Sequence, residues 1–282
     1  MARSRLQNST TVRLFSLLRL GFRVGERLAP GRAARLATRL WFRLPTQRRS
    51  RVPAKARAFE LNCLDTTVRG YEWGDGRLVY LQHGWGGCVG DLDTIAACLV
   101  ANGFRVVAVD APSHGNSGAG PFGPKASSPL QISAALDAAI DKFGEPYAIV
   151  AHSMGCLATA ISLRERVAPQ RLVMVSTFIG GPLFLQLFAK QLGVGPRTQA
   201  RFIALAEQQM AKPLSYFDIT GSVVDSEALI IHDRHDRSAP FEHGELIAEA
   251  WPKARLHPTE NLGHRRILNN PTIIGEIVDF LT

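Results

Sequence analysis

The 282-residue chain is 46% hydrophobic and 20% charged, the proportions of an ordinary globular protein and too apolar for a disordered one. Its length allows one large α/β domain or two small ones, and its four scattered cysteines (Cys63, Cys88, Cys98, Cys156) exclude a disulfide framework or a zinc ligand set and read as reduced thiols. The net charge of +9 is lopsided: residues 1–57 hold fifteen Arg and Lys against the single acid Glu26, while residues 58–282 sum to −5 and give no reason to invoke nucleic acid.

Residues 11–28 have a helical period, with Leu14, Leu18 and Phe22 on one face and Arg19, Arg23 and Arg27 on another. Ala29-Pro30-Gly31 interrupts it. A second helix runs to about Arg43, with Arg32, Arg35, Arg39 and Arg43 as one stripe and Ala33, Leu36, Ala37 and Leu40 as another. Leu44-Pro45 ends that helix, and residues 46–55 form a basic linker. Two readings stand for the segment. One is a helical pair packed on the main domain with its arginines in water. The other is a peripheral anchor on an anionic membrane through residues 11–51, worth about 1 kcal/mol per basic residue near the surface. The Arg-rich, acid-poor composition also suits an organellar transit peptide. Arginines interrupt any apolar signal region, and nothing approaches transmembrane length. The expectation is a cytoplasmic protein, peripheral to the inner face of a membrane if the anchor reading holds.

From residue 58 the pattern changes. Strands at 58–63, 66–73, 78–82, 105–110, 148–152, 171–176, 228–232 and 254–258 alternate with helices at 91–102 and 130–143, one starting at 154, and others at 242–250 and 272–281. An apolar, helix-rich insertion fills 178–226. Such alternation predicts a mostly parallel, doubly wound sheet with helices on both faces and its chemistry at the carboxyl ends of the strands. The expected division is a basic helical segment over 1–57 and an α/β domain over 58–282, with 178–226 as a small helical cap.

The stretch Ala148-Ile149-Val150-Ala151-His152-Ser153-Met154-Gly155 carries the first chemical signal. A strand leads into a serine flanked two residues either side by small residues, and a helix follows. This is the pattern of a nucleophile elbow, with Ala151 where glycine is usual. A serine hydroxyl needs a base and a group to orient that base. Asp236 and Asp233 both follow the strand at 228–232, and Asp236 is preferred because a few loop residues let its carboxylate turn back over the sheet edge. His264, beside Gly263, is the candidate base. His232 and His235 lack a third ligand, so no metal site is expected. An oxyanion hole needs two backbone N–H groups. Met154, just after the serine, and Trp85, in the glycine-rich run His83-Gly84-Trp85-Gly86-Gly87, are the candidates.

Taken together, these motifs resemble the α/β-hydrolase fold of serine hydrolases over about residues 58–282. The likeness rests on the loop at 83–87, the loop Asp110-Ala111-Pro112-Ser113-His114-Gly115, the elbow at Ser153, the acid loop ending at Asp236, and Gly263-His264, in the family's order. The resemblance implies catalysis by Ser153, Asp236 and His264 without metal or cofactor, and structural roles for Asp110 and His114. The expected substrate is a small ester. Trp85, Phe178, Phe184 and Phe188 are candidate substrate contacts, although the phenylalanines would equally seat the insertion. A carboxylesterase for short- to medium-chain esters is the leading expectation. A lipase, lysophospholipase or thioesterase acting on membrane-derived acyl chains is the alternative, and a non-catalytic binding protein on the same fold is a third. Oligomeric state is left open.

Overall fold

A computed structural model describes residues 2–45, 49–50, 55–166, 168–221 and 224–282, with side chains from residue 15 onward. Most of the basic linker expected over 46–55, and the side chain of Leu14, lie outside the described residues. In chain order the elements are α1 (Ala2–Leu28), α2 (Pro30–Trp41), β1 (Arg57–Cys63), β2 (Thr66–Trp73), β3 (Arg77–Gln82), α3 (Asp93–Ala101), β4 (Phe104–Val109), α4 (Pro129–Phe143), β5 (Ala148–His152) and α5 (Met154–Ser162). They continue with β6 (Arg171–Val175), α6 (Gly181–Leu192), α7 (Pro196–Met210), β7 (Glu227–Asp233), α8 (Glu242–Ala250), β8 (Ala254–Thr259), α9 (Gly263–Arg266) and α10 (Pro271–Leu281).

Two compact units result. Leu44–Ile179 with Ile219–Thr282 forms the sheet unit, and the chain up to Arg43 with Gly180–Asp218 forms a helical unit. This division differs from the one the sequence suggests: the N-terminal helices and the insertion helices make one body, and Phe178 belongs to the sheet unit.

In the sheet unit eight strands run in the order β1-β2-β4-β3-β5-β6-β7-β8. The β1–β2 and β2–β4 pairs are antiparallel and the other pairs are parallel. Strand pleating sends alternate residues to opposite faces. Val79, Leu81, Val106, Val150, Val173 and Leu229 accordingly share one core with Ile95 and Leu99 of α3 and Ile273 and Ile277 of α10. The intervening Tyr80, Val107, Ile149, Leu172 and Ile230 are also buried, and the Tyr80 hydroxyl donates to the Gly144 carbonyl at the end of α4 (2.7 Å). Burial on both faces is why these strands read as continuous apolar runs. The helix expected from residue 91 begins two residues later, because Val89–Leu92 forms a 3-10 turn first.

In the helical unit, small residues set the packing. Ala33, Ala34, Ala37 and Thr38 are the buried residues of α2, and α2 lies along α7. Trp41 closes the unit: its ring lies 5.0 Å from those of Phe184 and Phe188 and 6.0 Å from that of Phe202, in tilted and edge-on contacts. Helix α7 starts with open N–H groups behind Gly195, which has no capping side chain. Glu26 of α1 supplies the acceptor, taking the N–H groups of Arg197 (3.0 Å) and Thr198 (2.9 Å). The lone acid among the first 57 residues is thus used where a helix N-terminus attracts negative charge.

Candidate active site

β5 is buried throughout and turns directly into α5. At the turn Ser153 has φ 57° and ψ −125°, a conformation that costs a non-glycine residue free energy and persists only where its surroundings hold it. They do so here: the Ser153 N–H donates to the Val175 carbonyl (2.9 Å), and the Cys156 N–H donates to the Ser153 carbonyl (2.9 Å). Gly155 is required by space, since a Cβ there would lie 2.6 Å from the Gln82 and His83 carbonyl oxygens. Ala151 is fully buried in β5.

The Ser153 hydroxyl lies 2.9 Å from Nε2 of His264. On the other side of that ring, Nδ1 lies 2.7 Å from Oδ2 of Asp236. With Nδ1–H donating to the carboxylate, Nε2 is left to accept the serine proton. The Asp236 carboxylate is sealed from solvent. Burial alone would raise its pKa, but hydrogen bonds from His264 and from the Ala239 and Ser238 N–H groups outweigh burial and hold it at about 2. Asp233 does not reach the histidine. It accepts from the Thr259 hydroxyl (3.0 Å) and from the Leu262 (2.8 Å) and His235 (3.0 Å) N–H groups. Its task is to tie the loop carrying His264 to the end of β7.

One supporting group escaped the sequence reading. His152, just before the serine, donates from Nε2 to the His264 carbonyl (2.8 Å). Burial, reinforced by the nearby His264, pushes its pKa down to about 3 and keeps it neutral. The available signal was a polar residue ending an otherwise apolar strand. Asp110 and His114 are fully buried in the loop after β4. Asp110 accepts from the Ser50 hydroxyl and from the Val89 and Asn116 N–H groups, holding several chain segments together.

The glycine-rich loop after β3 approaches the serine closely. A Cβ on Gly84 would sit 2.8 Å from that of Ser153, so only glycine allows the approach. His83 fixes this loop, donating from Nδ1 to the Gly84 carbonyl (2.9 Å) and accepting the Ala111 N–H at Nε2 (3.0 Å). Trp85 follows, half-buried, with its ring edge-on to His114. The Met154 N–H opens α5, where the helical ladder provides no acceptor. A cavity of about 180 Å³ opens beside Ser153 and His264, walled by Gly84, Trp85, Asp91, Arg265 and Asn269. Phe178 packs edge-on near His264, with ring centroids 6.3 Å apart. Phe184 and Phe188 belong instead to the Trp41 cluster of the helical unit. Among the described residues, no group of three His, Cys, Asp or Glu is arranged to hold a metal ion.

The model of the alpha/beta hydrolase family matches residues 78–273, well over half of the chain and the whole run from the glycine-rich loop to His264. The chain belongs to the alpha/beta hydrolase family. No curated protein matches it. Among solved structures this hydrolase is similar to Est1E from Butyrivibrio proteoclasticus with bound ferulic acid, at 16% identity over 79% of this chain and 97% of that one, with a TM-score of 0.64. A putative lipase from Acinetobacter baumannii AYE shares 19% identity over 86% and 93% of the two chains (TM-score 0.62). Epoxide hydrolase VrEH1 from Vigna radiata shares 13% over 80% and 98% (TM-score 0.61). At these identities the likeness is one of fold. A putative lipase and an epoxide hydrolase on one scaffold mean that the reaction of this hydrolase has to be argued from its own site.

Proposed function

We propose that this alpha/beta hydrolase is a serine carboxylesterase cleaving short- to medium-chain esters through an acyl-enzyme. The observation that carries the reading is the unbroken relay from Ser153 through His264 to the sealed Asp236 carboxylate. Ser153 Oγ attacks the ester carbonyl while His264 Nε2 takes its proton. The developing oxyanion is received by the Met154 and Trp85 N–H groups. The C–O bond to the alcohol then breaks, and the alcohol leaves with the proton from Nε2. Water, deprotonated by His264, attacks the acyl-enzyme and releases the acid and the free serine. Asp236 stays ionised throughout and stabilises the imidazolium.

The size and lining of the cavity favour the shorter acyl groups. Its roughly 180 Å³ is small beside the pocket of a drug-sized ligand, and Asp91, Arg265 and Asn269 share its wall with Trp85 and Leu268. A second reading, hydrolysis of membrane-derived acyl chains, is favoured by the basic N-terminal helix α1 and its outward-facing leucines. p-Nitrophenyl esters of increasing chain length separate the two, with turnover expected to peak at short acyl groups. Ser153→Ala is expected to abolish turnover; wild-type rates in that variant would refute the assignment.

A further inference from the structure

We infer that the outward face of α1 is a docking surface for an anionic phospholipid bilayer. Leu17, Leu20, Val24 and Leu28 recur at three- and four-residue intervals and share one face of the helix. They are between 48% and 80% exposed, whereas Phe22, on the opposite face, is 1% exposed. The packed face is thus the one through Phe22, and a different apolar stripe is left on the outside. Arg19, Arg23 and Arg27 flank that stripe, all exposed. Among the described residues none of the three joins an ion pair. Beside the stripe lies a groove of about 630 Å³, walled by Leu20, Arg23, Val24, Glu26, Arg27 and Leu28 and by Gly193 and Gly195.

The charge pattern selects the occupant. An apolar stripe edged by arginines suits a helix lying in the plane of a membrane, with its leucines among the acyl chains and its guanidinium groups at the phosphates. Arg23 and Arg27 reach the phosphate level from the same groove that offers Leu20, Val24 and Leu28 to an acyl chain. A second copy of the chain fits poorly, because a twofold contact through this face would bring six arginines together against only two Glu26 carboxylates, each already engaged by the start of α7. Spanning is not the mode: among the described residues no helix is long and apolar enough to cross a membrane.

The test is co-sedimentation of the full chain with vesicles of phosphatidylcholine alone and of phosphatidylcholine with phosphatidylglycerol, two to one. Strong partitioning onto the anionic vesicles, weakened by salt, is expected. Replacing Arg19, Arg23 and Arg27 together by Gln should lower the anionic partition coefficient by about a hundredfold. Leu20→Ser with Val24→Ser should lower it at least about tenfold. Both sets lie on the surface, and an unchanged melting temperature verifies that they fold. Ser153→Ala should bind vesicles like the wild type, so failure of docking and failure of the esterase reading are told apart. Docking is refuted by equal binding to neutral and anionic vesicles, by wild-type partitioning of both variants, or by a dimer that Leu20→Ser with Val24→Ser splits into monomers.

Discussion

The sheet unit and the helical unit are built by opposite means. In the sheet unit each chemical group stands within a few residues of a strand end, on a turn whose geometry its own neighbours impose. Ser153, Asp236 and His264 follow β5, β7 and β8, and the sheet brings those ends together. The helical unit has no such local device. Its halves, the chain up to Arg43 and Gly180–Asp218, lie far apart in sequence and are joined by side chains without a motif, chiefly Trp41 on Phe184 and Phe188 and Glu26 on the start of α7. Strand-end chemistry can be read from short stretches of sequence, whereas helix-to-helix packing becomes visible only once the partners are seen together.

That contrast can be broken by substitution. The largest effect is expected at Asp236. Asp236→Asn leaves the loop in place but presents the wrong partner to His264 Nδ1, and ester turnover should fall by about ten thousandfold with little change in melting temperature. Asp233→Asn should act the other way, lowering stability more than turnover, because Asp233 ties the loop through Thr259 and Leu262. A larger turnover loss in Asp233→Asn than in Asp236→Asn would reverse the two roles.

An intermediate effect is expected at Trp41. Trp41→Ala removes the ring that Phe184, Phe188 and Phe202 share and should cost the helical unit roughly 2–3 kcal/mol, below the range for a fully buried aromatic because Trp41 is half-exposed. Limited proteolysis should then cut first within α6 and α7. Cleavage beginning in the sheet unit would show that the cluster is not what holds these helices.

The smallest effect per residue is set by pH and bears on the same comparison, because all eight histidines lie in the sheet unit. Burial pushes His114 and His152 down to about 3 and His243 to about 4. The unfolded chain therefore binds more protons than the folded one from about pH 6.5 down to those values. Stability contributed by keeping these rings neutral is complete above that window and is lost as pH falls through it, at about 1 kcal/mol per histidine by pH 5.5. Denaturant midpoints measured between pH 7.5 and 5.5 should fall for the sheet unit, while α1, α2, α6 and α7 keep their protection in hydrogen exchange. A flat sheet-unit midpoint would mean that these rings are solvated.

Much of the candidate site was legible because its signals are short-range. Small residues around Ser153, the glycine run at 83–87, and acid and imidazole after successive strands each follow from local steric or chemical need. The choice between Asp233 and Asp236 was a preference until the two carboxylates were seen to point at different partners. His152 went unnoticed because its acceptor, the His264 carbonyl, is distant in the chain. The phenylalanines were ambiguous for a related reason: an aromatic at helical spacing marks a buried face without naming what covers it.

By itself the sequence determined the alternation of strands and helices, the elbow at Ser153 and the concentration of basic charge before residue 58. Each is written in neighbouring residues or in composition. Only the tertiary structure decided that Asp236 rather than Asp233 meets His264, that Trp41 and Glu26 join the N-terminal helices to α6 and α7, and which apolar stripe of α1 is left outside. Those outcomes depend on long-range contacts, and a helix with two apolar stripes does not declare which one will be buried until another surface has packed against it.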